Sequence, residues 1–286
     1  MAQVWLNGRL LNEADAAIAV GDRGFLLGDG LFETMRAYAG RVFRLAAHLR
    51  RLADGAGRIG LDLPFGLSDA VRETVAANRL RDGAVRLTVT RGAVGAGLLP
   101  PASDAPATVL VTARPYRAEP SWYERGLSAA LARGRLDENR ATAGLKHTGY
   151  LEAIVAVREA AEAGFDDALF RDAAGHLAEG AASNLFVVVG ETLCTPPLSC
   201  GVLPGITRAA VLELAAATGI EVREAPLELA VLSDASEAFL TSSLRELVPL
   251  VRVRHRTIGD GRPGPLTGRL LEGYRRLTGP PEEGDA

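Results

Sequence analysis

The chain has 286 residues, 48% of them hydrophobic and 23% charged, with a formal net charge of −3. That length suits two medium domains, each with its own core, and the balance excludes a disordered or fibrous chain. The basic residues are scattered among acids and no run of about 18 apolar residues occurs, so neither a nucleic-acid stripe nor a membrane span is expected.

In chain order, "QVWLNGRLL" reads as a strand pair turning at Asn7-Gly8, a hairpin signal. "GDRGFLLGDGLFETMRAYAGRVFRL" reads as loop, strand, glycine turn and strand. Helical period begins at Leu45, with Leu45, Leu49 and Leu52 on one side of "LAAHLRRLADGAGRIG" and glycines to end it. A second helix, "SDAVRETVAANRL", stops near Asp82-Gly83, and the strands "AVRLTVTRG" and "ATVLVTARPY" follow. The Pro-rich and charged "RPYRAEPSWYERG" is the expected linker, giving a small α+β domain over 1–118 and a larger α/β domain over 119–286.

Beyond the linker, a helix is expected from about Thr148 to Ala163, ending at Gly164. Hairpin-like strands "DALFRDAAGHLAEG" and "NLFVVVGETLCT" come next, then a loop "PGIT" into the helix "RAAVLELAAATG". "EAFLTSS" is a short strand entering a polar turn, and the tail "TGPPEEGDA" is expected to be disordered. Hairpins outnumber βαβ units, so the class is α+β.

His48, His147, His176 and His255 show no metal-ligand spacing, and no metal is expected. Cys194 and Cys200 form no CxxC pair and read as inert thiols. The N-terminus lacks a charged segment followed by a continuous apolar one, which points to the cytoplasm.

One residue breaks the pattern of the basic side chains. Of the 32 lysines and arginines, only Lys146, in "TAGLKHTGYLEA", is a lysine. A buried lysine amine can lose its proton and attack a carbonyl, which a guanidinium cannot do. A surface lysine left by chance is the alternative. The rest of the chain offers what a Schiff-base cofactor such as pyridoxal 5'-phosphate requires besides an amine. Glu179, at the end of a strand in "HLAEGAASNLF", offers a carboxylate for a pyridine nitrogen. In "LPGITRAAVLELAAATG", Gly205 permits close approach, Thr207 stands where an N-cap belongs, and the following helix start suits a phosphate. Ser242 and Ser243 offer hydroxyls at a strand end. Neither GxGxxG nor GK[ST] occurs at these loops, which argues against a dinucleotide or a nucleoside triphosphate.

Six motifs, "GDGLFETMRAY", "HLRRL", "GLKHTGYLEA", "LAEGAASNLF", "TPPLSCGVLPGITR" and "FLTSSLRELVP", resemble in order and spacing the class IV, or fold type IV, pyridoxal-phosphate enzymes. That group comprises branched-chain and D-amino-acid aminotransferases, (R)-amine transaminases and aminodeoxychorismate lyases. The resemblance spans about residues 3 to 275. It implies a two-domain fold with the cofactor between domains, and a homodimer. It further implies that Lys146 binds pyridoxal phosphate as a Schiff base and shuttles the substrate proton. Arg51, the Ile206 and Thr207 amides and Ser243 match the phosphate ligands, Glu179 matches the carboxylate on the ring nitrogen, and Tyr150 resembles the tyrosine near the phenolic oxygen. Arg86 lines up with the arginine near the substrate carboxylate, and Phe32, Arg36 and Tyr38 are the expected substrate-pocket residues. The implied activity is amino-group transfer from an amino acid (branched-chain or D) or an amine to a 2-oxo acid. A lyase releasing p-aminobenzoate and pyruvate, and a non-catalytic protein binding a phosphorylated ligand, are the alternatives.

Overall fold

A computed structural model describes residues 1–95, 97–100 and 106–279. Two compact units divide the chain: Met1–Arg117, Leu145–Gly149 and Thr278–Ala286 form the first, and Ala118–Gly144 with Tyr150–Leu277 the second. Most of the tail expected to be disordered, residues 280–286, lies outside the described residues.

The first unit begins with strands β1 (Gln3–Leu6) and β2 (Arg9–Asn12). Asn7 (φ 47°) and Gly8 (φ 92°) both adopt left-handed backbone, as a two-residue hairpin turn requires. Helix α1 (Arg23–Leu27) stands where a loop was expected. It is capped by Asp22, whose carboxylate accepts from the Gly24 amide, and ends at Gly28 (φ 69°). Next come β3 (Gly30–Tyr38), β4 (Arg41–Val42), α2 (Leu45–Ile59), α3 (Leu67–Ala77), β5 (Gly83–Thr90) and β6 (Thr108–Pro115). Helix α3 stops earlier than its apolar pattern, because the Asn78 amide turns to pair with both backbone groups of Gln3, at 2.9 and 2.7 Å.

The strands form an antiparallel sheet in the order β2-β1-β6-β5-β3-β4. Leu52 and Ala56 of α2 and Ala70, Val71 and Val75 of α3 are buried against Leu31, Met35, Val85 and Leu87 on one face. Strand alternation then places Phe32, Thr34, Arg36, Tyr38 and Arg86 on the opposite face, so burial of the core aims the candidate site residues away from it.

The second unit contains α4 (Ser121–Arg125), β7 (Leu127–Leu136), α5 (Leu151–Glu162), β8 (Asp167–Asp172), β9 (Leu177–Gly180), β10 (Ser183–Val189) and β11 (Thr192–Thr195). It continues with α6 (Ile206–Ala217), β12 (Val222–Glu224), α7 (Val231–Asp234), β13 (Glu237–Ser242), β14 (Glu246–Val253), β15 (Arg256–Thr257) and α8 (Pro265–Thr278). Strand β9 pairs with both β8 and β10, closing the series β10-β13-β14-β7-β8-β9 into a ring. Closure leaves those six strands no open edge and a core of Leu169, Leu185, Leu240, Val248 and Leu250 inside. Both cysteines are free and buried; burial raises both thiols, Cys200 to about 11, so each stays an unreactive thiol.

Asp166 anchors the start of β7. Its carboxylate accepts from Arg125 at 2.6 and 3.0 Å and from the Ser128 amide and hydroxyl at 2.8 Å each. The Arg125 hydrogen bond is the main cause that holds this carboxyl at about 2, against an ordinary 3.8. A depressed folded-state value stabilises above pH 3.8, and that contribution is lost as pH falls through about 2. In thermal scans across that window the parent is expected to lose more of its midpoint than an Asp166→Asn variant. Parallel loss in both proteins would contradict the assignment.

Candidate active site

In the first unit the site is built on the start of β3. Lys146 belongs to no regular element, yet its backbone is stitched to that strand. Phe32 N donates to Lys146 O and Thr148 N to Gly30 O, both at 2.9 Å, and Leu31 bridges His147 in antiparallel register. The Thr148 hydroxyl adds bonds to Gly28 O (2.8 Å) and Gly30 O (3.2 Å). These bonds explain why the lysine segment groups with the first unit and not with the C-terminal domain expected from its sequence position.

The Leu31–His147 register sets Lys146 opposite Phe32, so both side chains lie on the face away from the core. Lys146 Nζ is 4.6 Å from the Phe32 ring centroid, and the Arg86 guanidinium is 3.7 Å from the same ring. Arg36 lies over Tyr38 at 5.2 Å and over Tyr116 at 4.9 Å. Four residues chosen for the substrate pocket, Phe32, Arg36, Tyr38 and Arg86, therefore share a sheet face with the lysine.

Glu33 points the other way and is fully buried. Its carboxylate accepts from His48 Nδ1 at 2.7 Å and from Arg51 Nε and Nη2 at 2.8 and 2.5 Å. Desolvation pushes the Glu33 carboxyl up, but the His48 and Arg51 hydrogen bonds outweigh it and hold the group ionised. Burial lowers His48, and the charges of Arg51 and Lys146 add to that, so the imidazole is neutral and donates through Nδ1. Arg51, matched to a phosphate ligand by sequence, is thus held in a fixed fork by a partner that the sequence reading did not single out.

In the second unit the β9–β10 hairpin pairs Glu179 with Asn184. Glu179 Oε2 accepts from Asn184 Nδ2 at 3.2 Å and from Leu203 N at 2.9 Å. Helix α6 begins three residues after Leu203. Its N-cap is Gly205, in extended conformation (φ −69°, ψ 134°), with no side chain capping it. This corrects the expectation for Thr207, which is the second helical residue; it is buried, with its hydroxyl 3.5 Å from the Tyr274 hydroxyl. Ile206 and Thr207 lead the helix, so their amides belong to the first turn, which has no intrahelical acceptors and favours an anion.

Ser242 closes β13, and its hydroxyl oxygen accepts from the Arg245 amide at 3.2 Å, so it serves the turn that presents Ser243. Thr241, one residue earlier, is 1% exposed and its hydroxyl has no hydrogen-bond partner among the described residues. Tyr150 occupies the N-cap position of α5. No group of three or more His, Cys, Asp or Glu among the described residues is placed to hold a metal ion.

This donor set fits pyridoxal phosphate. The uncapped helix start suits a dianion, Glu179 is a carboxylate fixed by two donors, and Gly205 presents bare backbone. A Cβ on Gly205 would overlap Asn184 Oδ1, an atom of a side chain held by its own hydrogen bonds. Gly205→Ala is therefore expected to cost about 1–3 kcal/mol of local packing, read as about tenfold or greater loss of pyridoxal-phosphate affinity in a folded protein. Parent-like affinity in equilibrium dialysis would contradict it.

The carboxylate and the open helix start of the second unit are groups that a pyridoxal-phosphate enzyme of the aminotransferase type requires. The amino-transferase class IV family model matches residues 30–253, and the chain belongs to that family. It is 38% identical over 279 residues to a putative branched-chain-amino-acid aminotransferase of Methanocaldococcus jannaschii, covering 96% of each chain. It is 35% identical over 276 residues to a D-alanine aminotransferase of Bacillus licheniformis, covering 93% of each. Among solved structures, a T.th. branched-chain amino acid aminotransferase with pyridoxamine 5'-phosphate superposes with a TM-score of 0.92 at 31% identity, over 99% of this chain and 96% of that one. Family membership makes the chain an enzyme and sets aside the reading of a non-catalytic binding protein.

Asn184, Glu33 and His48 were missed by the sequence reading. Glu33 carried a signal, since an acid at a core position of the alternating "GLFETMRAY" demands buried partners. Asn184 carried none until the hairpin register was known.

Proposed function

We propose that the chain is a pyridoxal-phosphate aminotransferase that takes an apolar, branched-chain amino acid as donor and a 2-oxo acid as acceptor. The observation that carries this reading is Lys146, the lone lysine, placed beside Phe32 on the sheet face that also presents Arg86.

Pyridoxal phosphate, when bound, supplies an aldehyde that condenses with amines and a ring that draws electron density from the substrate α-carbon. Lys146 is the proposed catalytic residue: its amine would hold the cofactor's aldehyde and would carry the proton at the substrate α-carbon. Glu179 would hold the ring nitrogen, Arg51, the Ile206 and Thr207 amides and Ser243 would hold the phosphate, and Tyr150 would serve the phenolic oxygen. Arg86 attracts the substrate carboxylate, and the Phe32 ring supplies an apolar wall.

The donor class is supported by the small and apolar residues that follow "TRG" in "TRGAVGAGLL", which bring no charged side chain to that loop. The relative from Methanocaldococcus jannaschii points the same way. The test is a panel of half-reactions with L-branched-chain amino acids, D-alanine and (R)-amines, followed by the cofactor's absorbance. Fastest conversion by a branched-chain donor supports the reading. Preference for D-alanine, or release of p-aminobenzoate from aminodeoxychorismate, overturns it.

The protein is further proposed to act in the cytoplasm as a homodimer. Supporting the dimer are exposed apolar residues on both units. Phe25 is 78% exposed on α1, Leu98 and Leu99 are 88% and 87% exposed, and Leu151 is 72% exposed on α5. Buried Arg23 secures the loop beside α1 by donating to Gly95 O, Gly97 O and Leu98 O. Apolar side chains presented on such fixed backbone favour a partner surface.

A further inference from the structure

Asn184 is 5% exposed and faces Glu179 across the β9–β10 hairpin. Its Nδ2 donates both to Glu179 Oε2 (3.2 Å) and to Leu203 O (2.9 Å), while Leu203 N donates to the same Glu179 oxygen (2.9 Å). These bonds tie the end of β9 to the turn that launches α6. Nδ2 faces two acceptors, so an oxygen in its place would be repelled, and the amide has one acceptable orientation. Its Oδ1 fills the space that a side chain at residue 205 would need.

We propose that Asn184 is a positioning residue that fixes the plane of the Glu179 carboxylate and locks it to the α6 N-terminus. One buried amide thereby sets the spacing between the group that holds the ring nitrogen and the group that holds the phosphate. The inference rests on the role given above to Glu179. Loss of the amide leaves the Leu203 amide on the same oxygen but removes the tie that sets the carboxylate's plane, so the ring nitrogen's partner is held less firmly even though Glu179 remains.

The test uses Asn184→Ala and Asn184→Asp, each loaded with pyridoxal phosphate carrying 15N at the ring nitrogen. A hydrogen bond to a charged group is expected to be worth about tenfold or more in cofactor affinity. The ring 15N resonance is expected to titrate with pH in both variants where the parent's holds steady. The shift is expected to be larger for Asp, which sets a second carboxylate against Glu179. A purely structural role would lower the thermal midpoint without moving that resonance. Should the Ala variant not fold, Asn184→Ser, with a hydroxyl too short to bridge both acceptors, gives the same reading. Parent affinity and an unmoved resonance in the folded variants overturn the proposal. The underlying assignment fails separately: Glu179→Ala would then leave the ring resonance unchanged.

Discussion

Lys146→Arg is expected to fold as the parent does and to lose at least about a thousandfold in transamination rate. The substitution keeps the charge and most of the length, and the segment's anchoring bonds to β3 are made by backbone atoms that it does not alter. A guanidinium keeps the cation that Lys146 places near the Phe32 ring, an arrangement that Arg86 already makes with the same ring. Only the chemistry changes, because a guanidinium neither deprotonates nor bonds an aldehyde carbon. Single-turnover absorbance of the loaded variant checks this, with circular dichroism as the control. Measurable transamination by the folded Arg variant would contradict the role.

Glu33→Ala is expected to be the most destabilising of the substitutions considered. It removes the acceptor of three hydrogen bonds from His48 and Arg51 and leaves a guanidinium that is only 10% exposed without its carboxylate. Breaking a buried pair on one side costs about 3–5 kcal/mol. Denaturant unfolding measures that loss, and cofactor dialysis measures a second one, because Arg51 loses the carboxylate that forms its fork. A stability change under about 1 kcal/mol would show that the fork contributes little.

Legibility in the sequence followed the strength of local signals. The Asn7-Gly8 turn, the Leu45–Ile59 helix and the strands of the first sheet each carry a period or a turn residue that dictates local backbone. Strand β7 escaped because "LSAALARGRL" is rich in alanine and arginine and has no strong strand former; its pairing with β8 and β14 makes it a strand. Helix α1 is only five residues long and rests on the Asp22 cap, too short for a period to show. Thr207 was misplaced by two residues because Thr is the commoner cap. Asn184, which excludes a Cβ at 205, makes glycine the residue that fits there.

The site divides in the same way. Lys146 stood out by residue type alone, and Glu179 and the α6 start by their positions at element ends. The partners that hydrogen-bond the other candidates, Glu33 to Arg51 and Asn184 to Glu179, emerge only from the register of strand pairing and packing. Sequence spacing does not encode that register directly, since the partners are joined by pairing and packing.

Reduction of the pyridoxal-phosphate-loaded protein with borohydride, followed by peptide mapping, tests the central claim most directly. A single stable pyridoxyl label on the peptide 142–153 is the expected result, with none after Lys146→Arg. A label elsewhere, or none on that peptide, would contradict the account.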